Sequence, residues 1–189
     1  MESEFRPTAY RKTAFHRISR LRMPFTYVMA LLAIFYAPEK LFLPGLILMA
    51  LGAIVRVWAA GHVVKRHKLS EGGPYARTRN PLYLGSLLWG TGAFVLIHAW
   101  WLLLVFLGGF ALFYGAAIRS EEDYLFGRFG EEFVLYKKSV PALLPRLTPA
   151  ASVSESRFSW KCVLRNDEHK ALAWSSAAAL LIFVRAYLR

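Results

Sequence analysis

At 189 residues the chain has room for one domain. A composition 56% hydrophobic and 15% aromatic, with mean hydropathy +0.35, excludes an ordinary soluble one. A net charge of +12 would suggest nucleic acid in a soluble protein. Here the basic residues lie between apolar runs that approach the roughly 20 residues needed to cross a bilayer, so the positive-inside rule accounts for them and no nucleic-acid partner is expected. The single cysteine, Cys162, excludes an internal disulfide and any cysteine-based metal site.

Residues 1–22 form a basic arm carrying Arg6, Arg11, Lys12, Arg17, Arg20 and Arg22. Phe5, Tyr10, Phe15, Ile18 and Leu21 are spaced for a short interfacial amphipathic helix. The charge order is that of a signal peptide, but no small-residue cleavage site follows and further spans come at once, so the arm leads into a retained first span, 23–38. A second span covers 41–64, with Pro44 in its first turn, where a missing N–H costs nothing. Arg56 and His62 lie in its later part, and Lys65-Arg66-His67-Lys68 makes a basic exit. The third span, 82–98, ends in an aromatic turn, Ala99-Trp100-Trp101, and the fourth covers 101–118. Gly85, Gly90 and Gly92 on one, with Gly108, Gly109 and Gly115 on the next, predict close packing of these two helices. A polar segment, 119–170, precedes a last, alanine-rich span, 171–188. The expectation is one domain over 1–189: an all-α integral membrane bundle of about five spans with a cytoplasmic cofactor-binding region.

Charge asymmetry orients the bundle. The arm carries six Lys/Arg, the Lys65–Arg79 loop five and 119–170 nine, whereas the two opposite turns carry only Lys40. The N-terminus and both polar islands, 72–85 and 119–145, are therefore expected on the cytoplasmic side.

In the first island, Gly72-Gly73-Pro74 permits a sharp turn, since glycine tolerates positive φ and proline presets the next residue. Asn80-Pro81 marks a helix start, with Asn80 as N-cap and Pro81 at the first helical position. The positive end of that helix, with Arg77 and Arg79 beside it, suits an anion. The second island opens on Arg119, Glu121, Glu122 and Asp123. Acidic side chains at the end of the fourth span oppose the helix dipole, so a cation is expected nearby: Arg119, Arg79 or a ligand. Adjacent helical residues point in different directions, so one of Glu121 and Glu122 faces a site. Tyr124, Leu125, Phe129, Phe133 and Tyr136 then recur at three- and four-residue spacings, predicting an amphipathic helix ended by Pro141 and Pro145.

Gly73-Pro74-Tyr75, Arg79-Asn80-Pro81 and Tyr83, followed by Glu121-Glu122, Leu125, Phe129-Gly130-Glu131-Glu132-Phe133, Tyr136-Lys137-Lys138 and Val140-Pro141, resemble the isoprenylcysteine carboxyl methyltransferase family, related to the membrane phospholipid N-methyltransferases. The resemblance covers roughly residues 60 to 146 and is closest in span number to compact microbial members, whose setting is a bacterial inner membrane. It implies an S-adenosylmethionine-dependent methyltransferase acting on a lipid-phase or lipidated acceptor. It places Gly73, Pro74, Tyr75, Arg79, Asn80, Pro81, Tyr83, Glu121 and Glu122 at the cofactor and makes Arg79 important for catalysis. Asn80 stands where many members have histidine, Ser139 where the prenylcysteine enzymes tend to have arginine, and Phe133 where tyrosine is common.

The residue types suit that chemistry. Glu121 or Glu122 would pair with the cofactor's ammonium, and Arg79, Arg77 or the helix start would meet its carboxylate. Tyr75, Tyr83 or Phe129 would face the sulfonium, worth about 0.5–2 kcal/mol. A carboxylate acceptor needs no general base in a water-poor site, and Arg79 would orient it. An amine acceptor would need a base, for which Glu122 or His67 serves. Arg56, Asn166 and Glu168 are further residues that would reach the acceptor. Asn166 and Asp167 also read as the start of the last helix, and Arg56 as a side chain reaching the headgroups. The five histidines show no metal-ligand spacing, so no metal is expected, and the absence of a GxGxxG or phosphate loop excludes a soluble nucleotide-fold methyltransferase. Alternative functions are phospholipid headgroup N-methylation, a nicotinamide-dependent membrane reductase and a non-catalytic membrane scaffold.

Overall fold

The structure, a computed structural model, describes residues 14–63, 69–150 and 157–189. Phe5, Tyr10, His67 and the Lys65–Lys68 exit lie outside the described residues. The described residues form helices α1 (Ala14–Ser19), α2 (Arg22–Phe35), α3 (Pro44–His62), α4 (Pro81–Leu96), α5 (Trp100–Gly109), α6 (Gly115–Phe129), α7 (Glu131–Ser139), α8 (Trp160–Arg165) and α9 (Glu168–Tyr187). A 3-10 turn, Gly73–Ala76, precedes α4, and a π-helical turn, Phe110–Tyr114, joins α5 to α6.

Among the described residues, three helical stretches are long and apolar enough to cross a membrane: Phe15–Phe35, Pro44–His62 and Trp100–Phe129. Pro81–Leu96 is apolar but shorter, and α9, with Glu168, Lys170 and Arg185, is not among them. The all-α membrane bundle is borne out: helices stand at all five expected spans, three of them of full length, α4 shorter and α9 carrying charges at its ends. Large apolar side chains such as Leu31, Ile47, Ile54 and Leu104 stand exposed around these helices, the arrangement lipid contact requires.

Beneath that surface Met29, Ala33, Met49, Phe94, Leu96, Leu102, Phe106, Phe110 and Ile182 close one core between α2, α3, α4, α5 and α9. Its tightest seam is α3 against α4. A Cβ on Gly52 would lie 2.6 Å from the Gly85 carbonyl oxygen, and one on Gly85 2.7 Å from that of Gly52. Only glycine allows this approach. The expected glycine contact between the third and fourth spans is therefore corrected: Gly85 and Gly92 meet Gly52 and Gly45 on α3, Gly90 meets the Phe106 ring, and Gly108 and Gly115 have nothing within 4 Å.

The same seam carries a buried ion pair. Arg56 donates to Glu168 through Nε at 2.6 Å and a terminal nitrogen at 3.0 Å, while its other terminal nitrogen donates to Ser86 Oγ at 2.6 Å. Arg56 does not reach for headgroups; it ties α9 to α3 and α4. With the Glu168 side chain 5% exposed, removing either partner would cost about 3–5 kcal/mol. Asn166 donates from its amide to the Ala60 and Val63 carbonyls, at 3.0 and 3.3 Å, covering the end of α3. Asp167, in the left-handed region at φ 57°, starts α9 without a side-chain cap.

Two further boundaries differ from expectation. The fourth span does not end at 118: after the π turn the helix runs on to Phe129, so Glu121 and Glu122 sit mid-helix and no dipole conflict arises. The single amphipathic helix expected over 124–136 is broken at Gly130, φ 54°, into α6 and α7. Phe133, Tyr136, Val140, Leu69 and Ala150 then form a second, smaller core, with Phe129 packed against it.

Candidate functional site

The first island is sewn to the chain after α7. The Arg79 backbone N–H donates to the Pro141 carbonyl at 2.9 Å, that of Arg146 to Arg77 at 2.9 Å and that of Ala150 to Ala76 at 3.0 Å. Thr78, 2% exposed, donates through Oγ1 to the Ala142 and Leu143 carbonyls. Asn80 occupies the cap position of α4, and Pro81 its first turn, but the Asn80 amide donates to the Ala142 carbonyl at 2.9 Å rather than capping the helix. A capping side chain must accept from the first-turn N–H groups, so this corrects the expected N-cap.

Within the 3-10 turn, Gly73 sits at φ +60°, and a Cβ there would lie 2.4 Å from the His62 ring, so glycine is required on both counts. Pro74 and Tyr75 are buried beneath it, and the Tyr75 carbonyl accepts from the Tyr136 hydroxyl at 2.8 Å. Burial raises the Tyr75 hydroxyl well above its ordinary pKa, and the nearby charges of Glu121 and Glu168 raise it further. Burial likewise raises Tyr136. Both stay neutral donors at physiological pH.

The two glutamates separate the site into two faces. Glu122 turns to the first island: Oε1 accepts from Arg79 Nε at 3.1 Å and a terminal nitrogen at 2.5 Å, and Oε2 accepts from Lys137 Nζ at 2.6 Å. The remaining terminal nitrogen of Arg79 donates to the Lys137 carbonyl at 3.0 Å and to the Val140 carbonyl. Arg77 donates to the Arg146 and Leu147 carbonyls. The structure thus brings Arg79 and Glu122 together, but onto each other, and gives Arg77 backbone partners. Neither arginine is left for a ligand carboxylate in this arrangement.

Glu121 turns the other way. Its Oε2 accepts from the Tyr83 hydroxyl at 3.2 Å, and that hydroxyl accepts from Arg22 at 3.0 Å. These groups face a cavity of about 660 Å³ lined by His16, Ser19, Arg20, Met23, Ser120 and Tyr124 among others. Its outer wall is α1 and the start of α2: α1 lies across α6, with the Arg119 guanidinium 5.2 Å above the Phe15 ring. Sequence reading put Tyr83 and Glu121 at the site but missed this wall, treating 1–22 as a basic, interfacial amphipathic arm without a part in the site. The available signal was the amphipathic spacing of Phe15 and Ile18, which sets an apolar face apart from the one that carries His16 and Arg20. Phe129 stays with the small core, and Arg56, Asn166 and Glu168 stay in the α3–α9 seam. Among the described residues no group of three or more His, Cys, Asp or Glu side chains converges as a metal site would require.

The pattern of the phospholipid methyltransferase family matches residues 41–132, which hold α3, the first island, α4, α5 and α6 with both glutamates. The chain is 33% identical over 143 residues to the cobalt-zinc-cadmium resistance protein CzcN of Cupriavidus metallidurans, covering 70% of this chain and 65% of that protein. It is 33% identical over 106 residues to the nickel-cobalt-cadmium resistance protein NccN of Alcaligenes xylosoxydans xylosoxydans (55% of this chain, 49% of that protein). It is also 35% identical over 81 residues to the protein-S-isoprenylcysteine O-methyltransferase of Schizosaccharomyces pombe (43% and 34%). The chain therefore spans less than two thirds of the length of each of these relatives. No solved structure matches it. Matched along the stretch that carries both islands, and built from apolar helices, the chain is similar to the phospholipid methyltransferase family and to protein-S-isoprenylcysteine O-methyltransferases.

Proposed function

We propose that the protein is an S-adenosylmethionine-dependent membrane methyltransferase that esterifies the carboxylate of an isoprenylcysteine-like or other lipid-phase acceptor. The carrying observation is the Glu121 face: a carboxylate paired with a tyrosine hydroxyl and turned into a 660 Å³ cavity, a volume suited to a small-molecule site. This donor set fits the cofactor. Glu121 would hold the ammonium, and the rings of Tyr83 and Tyr124 would lie beside the positive sulfonium. Gly73, Pro74, Tyr75, Asn80 and Pro81 do not line this cavity; in this reading they set the start of α4, which carries Tyr83 to it. When bound, S-adenosylmethionine supplies a methyl group on a positively charged sulfur, which an acceptor carboxylate takes with no proton to remove. The chain's part is to hold both partners and keep water out, and the buried Pro74-Tyr75-Ala76 turn is suited to that.

The Arg79–Glu122–Lys137 group joins the first island to α6 and α7, so its catalytic role in this reading is positioning. The Lys/Arg asymmetry supports a cytoplasmic N-terminus and site, and in this reading the protein is a single domain of a bacterial inner membrane. Headgroup N-methylation stays as the second reading, favoured by the phospholipid methyltransferase pattern over 41–132. Incubation of the purified protein with methyl-labelled cofactor and either a farnesylcysteine analogue or phosphatidylethanolamine vesicles separates the two. Label in the farnesylcysteine product that alkali releases as methanol is the expected result. Alkali-stable label in the phospholipid alone would replace it with N-methylation, and thermal stabilisation by NADPH without methyl transfer would favour a reductase.

A further inference from the structure

Glu121 differs from Glu122 and Glu168, the carboxylates that tie the first island and α9 in place. Glu122 is shared by Arg79 and Lys137, and Glu168 is held by Arg56. Among the described residues, no cation lies within ion-pair distance of Glu121; its partner is the Tyr83 hydroxyl. The same hydroxyl accepts from Arg22, so a guanidinium and a carboxylate stand one hydroxyl apart across a cavity. Arg22 also lies 5.7 Å from the Tyr83 ring centre, which fixes its height over the cavity. Arg77 and Arg79, the arginines that sequence reading aimed at a carboxylate, are engaged by Glu122 and by backbone carbonyls. Arg22 lies outside residues 41–132, in a helix that the family pattern does not cover.

We propose that this cavity seats an α-amino acid zwitterion, with Glu121 taking the ammonium and Arg22 the carboxylate, so that the N-terminal helices complete the site. The inference rests on the methyltransferase reading, in which the zwitterion is the methionine end of the cofactor. The chemistry is complementary. Each end of an amino acid carries a full charge, and a guanidinium fork offers a carboxylate paired donors that a helix terminus or hydroxyl does not. Bringing the two charges of the ligand between Glu121 and Arg22 would replace one weak bridge through Tyr83 with two charge-assisted contacts.

The test compares S-adenosylhomocysteine with 5′-methylthioadenosine, which keeps the nucleoside and sulfur but lacks both charges of the amino acid. Affinities for each are measured by ligand-dependent thermal stability of the detergent-purified protein, wild type and Arg22→Gln. Arg22→Gln is expected to bind S-adenosylhomocysteine at least tenfold more weakly while its affinity for 5′-methylthioadenosine stays within twofold. Arg22→Lys, which keeps the charge but loses the fork, should fall between and serves if Arg22→Gln is not recovered folded. Equal weakening toward both ligands, or S-adenosylhomocysteine affinity within twofold of wild type, would overturn the inference and leave the methyltransferase reading standing. A wild type that binds neither would remove both.

Discussion

Arg79 holds the first island to two helices at once, reaching Glu122 on α6 and the Lys137 and Val140 carbonyls at the end of α7. A lysine has one compact charge and cannot serve these three acceptors together. Arg79→Lys is therefore expected to lose fold stability as well as activity, by about 1–3 kcal/mol, or roughly 2–10 °C in the unfolding midpoint at this chain length. Glu122→Gln should act through the same contacts, so the double variant should be less destabilised than the sum of the singles. Thermal unfolding of the three variants checks this, and additive losses would contradict the pairing. The residue types of the site were legible in the sequence, but their partners were not. Arg79 was one of the cations expected beside the acidic cluster, but the sequence could not choose it over Arg119 or a ligand, because nothing in it shows which opposite charges 43 positions apart will meet. Nor could it say which glutamate faces the cavity. The π turn at Phe110–Tyr114 advances the helix by about one residue, turning everything after it by about 100°, the angle that separates Glu121 from Glu122.

At the scale of elements, the α3–α4 seam sets where the first island can lie, because Gly52 and Gly85 bring the two backbones together just below it. Gly52→Val would drive two methyl groups into the α4 backbone, where no flexible side chain can yield. Overpacking of this kind costs about 1–3 kcal/mol or more, so a clear drop in the unfolding midpoint is expected, with loss of cofactor affinity if the island shifts. Gly108→Ala, with open space around it, should leave the midpoint unchanged or slightly raised. Equal effects of the two substitutions would contradict the seam. The apolar helices were readable from hydropathy, and Pro81 correctly marked the start of α4. The partner of the Gly85 stripe was not, since small residues signal close approach without naming the helix that approaches. Gly130 shows the converse limit: three- and four-residue spacing ran unbroken from Tyr124 to Tyr136, yet a positive φ splits the helix there and turns Phe133 and Tyr136 into their own core.

Across the molecule, the family-matched middle of the chain supplies both islands, and the flanking helices close it on either side. On one side α9 is bolted to α3 and α4 by Glu168 and Arg56; on the other, α1 and α2 wall the Glu121 cavity. The membrane class and the two-island layout followed from composition and charge alone. The wall did not, because a basic N-terminal arm satisfies the positive-inside rule whether or not it also lines a site. The central claim is that the cofactor's charged end binds at Glu121. Its most direct test is the thermal stabilisation of wild type and Glu121→Gln by S-adenosylhomocysteine in the same detergent. At a hundredfold excess over its dissociation constant the ligand should stabilise wild type by about 2.7 kcal/mol, and that gain should largely disappear in Glu121→Gln while the unliganded midpoint changes little. Stabilisation of Glu121→Gln equal to that of wild type, or none in wild type, would contradict it.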